Sequence, residues 1–183
     1  MFRAARAYLG LSITSLIWAG AFIAGKLVTA ELTPLAASGL RHLAAALVLL
    51  PFAWRMRRAG NLRAALPSLA VMALVIECGM WATAPFTQLA GASAAAVAAL
   101  AFLVLFASVL AGQLFLFGVH SVGVGRTVVF VYLVPVLTAL LSAAFLGEPL
   151  LPSQVLGGAL VLMGVAVTTR SPAPAPEAEP VAA

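Results

Sequence analysis

Six stretches of this sequence are continuous apolar runs, each long enough to cross a bilayer: residues 8–29, 34–54, 67–88, 92–118, 126–147 and 152–169. About 20 residues at 1.5 Å each traverse a hydrocarbon core of about 30 Å. Lipid satisfies no backbone polar group, so such runs fold as helices or as closed barrels. A barrel needs strands of about ten residues that alternate apolar and polar side chains. These runs do not alternate; Ala and Leu dominate them. Only 8% of the residues are charged and 64% are hydrophobic, whereas a soluble domain carries roughly a quarter charged residues. The fold class expected is an all-α polytopic membrane protein, a single bundle of about six transmembrane helices over residues 1–170.

The joints between the runs fit this reading. Glu31-Leu32-Thr33-Pro34 is a tight turn, with Pro34 suited to the first turn of the next helix. Gly147-Glu148-Pro149 closes the fifth run and Pro152 opens the sixth. Residues 55–66, RMRRAGNLRAAL, form the one clearly polar internal loop. The first run outlasts the apolar core of a signal peptide, about 7–15 residues, and so reads as a retained helix. Residues 171–183, SPAPAPEAEPVAA, read as an extended, disordered tail.

The net charge of +5 is explained by topology rather than by nucleic acid. With both termini in the cytoplasm, six spans place Arg3, Arg6, Arg55, Arg57, Arg58, Arg63, Arg126 and Arg170 inside. The external turns then carry Glu31 and Glu148 and no base. Every loop obeys the positive-inside rule. A five-span alternative would force Arg126, or the cluster from Arg55 to Arg63, to the outside. The join near residues 89–93 is marked only by Gly91 and Ser93.

Three ionisable side chains fall within spans: Lys26, Arg41 and Glu77. A charge at mid-membrane costs on the order of 3 kcal/mol even on lenient insertion scales, so such residues usually face the bundle interior or a wet cavity. The stem of Lys26 is also long enough to snorkel to the interface. Helical periodicity places Glu77, Trp81, Ala84 and Gln88 on one stripe, and Ser15, Trp18, Phe22 and Lys26 on another. Polar atoms among aromatic rings on two stripes point to a shared cavity; the alternative is that Trp18 and Trp81 fill gaps between helices. Burial would raise the pKa of Glu77 and make it a proton carrier, whereas pairing with Arg41 or Lys26 would make it part of an ion pair. His42 reads as an interhelical hydrogen-bonding residue. Pro135 has no amide hydrogen and crowds the carbonyl of Val131, so a kink is expected there. Gly20 with Ala24, and Gly157 with Gly164, would let helices approach closely.

No enzyme signature is present. Gly123-Val124-Gly125 lacks the strand and the third glycine that a dinucleotide site requires. One cysteine, Cys78, excludes an internal disulfide and reads as a small packing residue. No cofactor, metal or nucleic-acid partner is called for. Membrane lipid and a small-molecule substrate are the partners expected.

The chain resembles the drug/metabolite transporter superfamily, and within it the EamA-like exporters. The resemblance is carried by Trp18-Ala-Gly-Ala-Phe22 with Lys26, by Pro34-Leu35 with Gly39-Leu-Arg41-His42, and most closely by residues 105–165. The segment YLVPVLTALL…LGEPL, Tyr132 to Leu150, is its most specific part. Such proteins have ten helices in two inverted halves of five, so the resemblance implies that about four middle helices are missing here. It further implies a multi-pass protein of a bacterial inner membrane that exports metabolites, amino acids or amphipathic drugs by gradient-driven alternating access. Trp18, Lys26, Arg41 and Tyr132 would line the cavity, while Pro135, Gly147 and Glu148 would be structural. A homodimer would supply twelve helices and rebuild a complete cavity. The competing expectation is an inactive shortened relative or a membrane accessory protein.

Overall fold

The computed structural model describes residues 2–55 and 83–170; the calls on Glu77, Cys78, Trp81, most of the 67–88 run and the tail lie outside the described residues. In chain order the elements are α1 (Phe2–Thr29), α2 (Pro34–Arg55), α3 (Pro85–Gly91), α4 (Ala94–Phe102), a π-helical segment π1 (Leu103–Leu110), α5 (Ala111–Val122), α6 (Val124–Val131), α7 (Leu133–Leu146) and α8 (Pro152–Arg170). Among the described residues there is no strand. Among the described residues four helical stretches are long and apolar enough to cross a membrane: Ala4–Thr29, Pro34–Pro51, Ala94–Val122 and Val124–Leu146. Pro152–Val167 is apolar but shorter. The chain is an all-α polytopic membrane protein.

Local chemistry sets the helix ends. Pro34 occupies the first turn of α2, and Thr33 Oγ1 accepts from the amide of Ala36 at 3.4 Å. Ser93 caps α4, its hydroxyl oxygen accepting from Ala96 N at 3.2 Å. Gly147, at φ +67°, ends α7 in the left-handed conformation that glycine adopts at little cost. Gly123, at φ +84°, separates α5 from α6.

One expectation is corrected here. The 67–88 run does not continue as one helix to Gln88, because Thr83 and Ala84 form a turn and α3 is a separate short helix. Ala84 has φ +48°, the one non-glycine residue at positive φ among those described. Pro85 is the cause: its ring disfavours the α conformation in the residue before it. The stripe drawn through Glu77, Trp81, Ala84 and Gln88 is therefore broken at Ala84.

Helix α1 is the centre of the bundle. It packs against α2, α4, π1, α5, α6 and α7, while α8, among the described residues, packs mainly on α6 and α7. Ala7, Leu11, Ala19 and Val28 of α1 are completely buried. The tightest approach is between α1 and α5. A Cβ on Gly118 would stand 2.5 Å from Leu11 Cδ2 and 2.9 Å from its Cγ. The paired small residues expected from spacing do not all serve this purpose. Gly20 lies against the Phe102 ring, whereas a Cβ on Gly157 or Gly164 would meet nothing within 4 Å. Which glycine matters depends on which helices pair, and α8 pairs with few.

Gly118→Ala should therefore destabilise the fold, by about 1–3 kcal/mol for an overpacked core site, despite the better helix propensity of alanine. The check is thermal unfolding in detergent, with Leu11→Ala/Gly118→Ala as partner variant. That double variant should recover part of the loss relative to Leu11→Ala alone.

Candidate functional site

The stripe Ser15, Trp18, Phe22 and Lys26 runs along α1 and meets a different neighbour at each level. Ser15 is buried, and its hydroxyl donates to the carbonyl of Phe130 at 2.7 Å. The Trp18 indole N–H donates to the carbonyl of Ala107 at 3.0 Å, and its ring packs on Phe115 with centroids 5.4 Å apart. Lys26 Nζ lies 2.7 Å from Glu148 Oε1. Phe22 lies between the last two levels and lines a cavity on each side of itself.

Both acceptor carbonyls belong to interruptions of regular helix. Ala107 lies inside π1, where the backbone pattern is i→i+5. Phe130 precedes the break at Tyr132 between α6 and α7, two residues before which the ladder tightens as Tyr132 N bonds Val129 O at 3.2 Å. Pro135 sits just beyond, in the first turn of α7. Two side chains of α1 thus donate to carbonyls that lie in or beside these interruptions.

The inner cavity has a volume of about 390 Å³ and is lined by Trp18, Ala21 and Phe22 from α1, Arg41 from α2, and Val131 and Val134 from either side of the break. Arg41 Nε donates to Ser108 Oγ at 2.8 Å. That hydroxyl in turn donates to the Leu103 carbonyl at 3.0 Å, one π turn back. Its only hydrogen is thus spent on the backbone, which leaves Ser108 Oγ an acceptor facing Arg41. The second cavity, about 540 Å³, lies nearer the Glu148 end and is more polar, with Lys26, Thr138, Ser142, Glu148 and Gln154 in its wall. Thr138 Oγ1 is buried without a hydrogen-bond partner. A larger apolar groove of about 700 Å³ between α7 and α8 has no charged side chain in its lining.

The structure thus places Trp18 and Arg41 around one cavity, with Lys26 at the next. Tyr132 is 59% exposed at the helix break and is absent from both linings among the described residues. Gln88 serves the turns instead. Its Oε1 accepts from Thr33 N at 2.8 Å, and its Nε2 donates to the Thr83 carbonyl. His42 Nδ1 donates to the Ser38 carbonyl one turn back at 2.7 Å, within its own helix. Ser108 and π1 escaped sequence reasoning. Ser108 is the lone polar residue in LVLFASVL, which is the one available signal; nothing in those residues announces a π-helix. Among the described residues no group of His, Cys, Asp and Glu could hold a metal ion.

Polar contacts also tie the two ends of the bundle. At one end Glu31 accepts from both the amide and the hydroxyl of Ser93, each at 2.6 Å, beside the Lys26–Glu148 pair. At the other, Arg126 Nη1 donates to the Tyr8 hydroxyl at 3.2 Å, and Tyr8 stacks on Phe130.

The sequence model of the EamA-like transporter family matches this chain twice, over residues 5–100 and 67–170. The chain belongs to the EamA-like transporter family. The two matches share residues 67–100, so together they cover nearly all of the bundle. No match is found among curated proteins or among solved structures. Members of this family are membrane transporters and not enzymes, and the chain is a membrane transporter of the drug/metabolite type.

The end contacts of this EamA-like bundle make its stability depend on pH. Hydrogen bonds from the Ser93 side chain and amide hold the Glu31 carboxyl below its usual 4.5. Hydrogen bonds from Lys26 and then Ser142 do the same for Glu148, with a smaller contribution from the Lys26 charge. A carboxyl with a depressed folded-state pKa stabilises the fold above its unfolded pKa, and that contribution is lost as pH falls through the folded value. The melting temperature should thus hold steady from about pH 7 to about pH 5 and fall below that. The Glu31→Gln/Glu148→Gln variant should melt lower at neutral pH and lose less on acidification. An acid loss equal to that of the parent protein would exclude these two carboxyls as its source.

Proposed function

We propose that the chain exports small amphipathic solutes, such as metabolites, amino acids or drugs, by gradient-driven alternating access. The observation that supports this best is the cavity bounded by Trp18, Phe22 and Arg41, with Val131 and Val134 from either side of the α6–α7 break in its wall. Irregular backbone at membrane depth is tolerated where it is buried in protein or lines a cavity, and transporter sites use it so. A volume of about 390 Å³ suits a small solute. Phe22 lines both this space and the outer one.

In the cycle we propose, α6 and α7 rock against α1. The same pair of units is joined at one end through Lys26–Glu148 and at the other through Tyr8–Arg126. Opening either end breaks one contact and leaves the other in place. Arg6 and Arg126 share one end, and Glu31 and Glu148 the other, which supports termini in the cytoplasm of a bacterial inner membrane by the positive-inside rule. Glu77 is proposed as the proton-carrying group, from its depth in the sequence alone. A homodimer is proposed as the transporting unit.

Flux from proteoliposomes tests this reading, with a panel of amphipathic dyes and amino acids and an imposed proton gradient. The parent protein should move at least one substrate class faster than protein-free vesicles. Arg41→Gln should cut that flux by about tenfold or more, the value of one charge-assisted hydrogen bond. Glu77→Gln should insert normally and lose the response to the gradient. No flux above the protein-free level across the panel would remove the transport reading.

A further inference from the structure

We infer that the inner cavity binds an organic anion, a carboxylate on a compact apolar body, and that Arg41 receives the carboxylate. This rests on the transporter reading for its role in flux, and on the cavity's own chemistry for its charge preference. Of the described lining residues, one is a cation and five are apolar: Arg41 against Trp18, Ala21, Phe22, Val131 and Val134. No carboxylate, hydroxyl or amide side chain stands among them. The Trp18 indole N–H is already committed to the Ala107 carbonyl, so that residue offers the cavity its ring only.

Arg41 itself is half-buried in a membrane-spanning helix, and the hydrogen bond recorded for it among the described residues goes to a neutral hydroxyl. The ion pair found among those residues, Lys26–Glu148, belongs to the outer end. A guanidinium in a low-dielectric site is costly until an anion neutralises it, and its fork matches a carboxylate through two parallel hydrogen bonds. Ser108 engages Nε and so steadies the plane of the group while the terminal nitrogens remain for a ligand. An ammonium or a quaternary amine placed in this space would meet the Arg41 charge at close range. The aromatic walls accept a flat or branched hydrocarbon body equally well for either sign, so charge decides.

The test uses the full chain in lipid nanodiscs and four probes that share one skeleton: 3-phenylpropionate, 3-phenylpropanamide, 3-phenylpropylamine and phenylalanine. Affinities are read at pH 7 by isothermal calorimetry. The propionate should bind about tenfold or more tighter than the amide, the amine and the zwitterion, the gain expected from a charge-assisted hydrogen bond. Arg41→Gln should bring the propionate and the amide to within about twofold, and Arg41→Lys should keep an intermediate preference, because it retains the charge and loses the fork. Equal or tighter binding of the amine or of phenylalanine overturns the inference. So does an anion preference that survives in Arg41→Gln, or the absence of binding by all four probes. If Arg41→Gln does not fold, the parent selectivity and Arg41→Lys still decide. The two readings separate in the same preparation. Anion-selective binding without flux in proteoliposomes removes transport and keeps the site, whereas flux with no preference for anions keeps transport and removes the site.

Discussion

A lipid interior supplies no hydrogen bonds, so any backbone carbonyl released by a helix defect must be answered by a side chain from the bundle itself. This constraint organises the protein. Helix α1 carries Ser15 and Trp18, which donate to the carbonyls of Phe130 at 2.7 Å and Ala107 at 3.0 Å on other helices, while the Thr14 hydroxyl donates to the Gly10 carbonyl of its own helix at 3.0 Å. Two of those carbonyls lie in or beside an interruption, one in π1 and one before Tyr132. Left unmet in hydrocarbon, each would cost several kcal/mol. Helix α1 thus lies against both interruptions, and Gly118 lets it approach α5 closely.

The same arrangement makes room. A helix that departs from the α pattern moves its side chains out of the regular ridge, and neighbouring elements no longer close the space completely. Here the α6–α7 break places Val131 and Val134 in the cavity wall with Trp18, Phe22 and Arg41, and π1 touches this wall through Ser108, which bonds Arg41. Ser108 links the two features. It lies within π1, returns its proton to the Leu103 carbonyl and holds Arg41 by Nε. The cation thus owes its position to the defect.

Much of this was legible in the sequence, for physical reasons that differ by residue. The long helices Ala4–Thr29, Pro34–Pro51, Ala94–Val122 and Val124–Leu146 were readable because apolar runs of that length have few other solutions. The α1 stripe was readable because Ser15, Trp18, Phe22 and Lys26 interrupt an aliphatic helix at its own period. Gln88 was misplaced because counting by four assumes an unbroken helix, and Pro85 breaks it by acting on Ala84. The Nδ1 bond of His42 to Ser38 was not foreseen, because a histidine in a helix reaches its own preceding carbonyl as readily as a neighbour. The π-helix was not legible at all, since LVLFASVL is as good an α-helix on propensity, and its departure is imposed by packing against α1 and α2. Ser108 went unremarked for the same reason: its meaning comes from the partner across the gap. Glu77 and Trp81 lie outside the described residues, so their reading stays where the sequence leaves it.

The strengths of the end contacts bear on the proposed cycle. Rocking between two states needs both to be close in free energy, since a strongly preferred state would demand a correspondingly large bias from the solute. Lys26–Glu148 joins two half-exposed side chains, the kind of pair that contributes little net stability in water. The Tyr8–Arg126 contact is a single neutral-acceptor hydrogen bond at 3.2 Å, also modest. The contacts that bind α1 to its neighbours at mid-depth are of another kind: they satisfy backbone carbonyls that water cannot reach. In the proposed cycle the pivot would lie at the depth of Ser15 and Trp18. The inner cavity lies at that level, so a solute held there would stay near the axis while the ends exchange access around it.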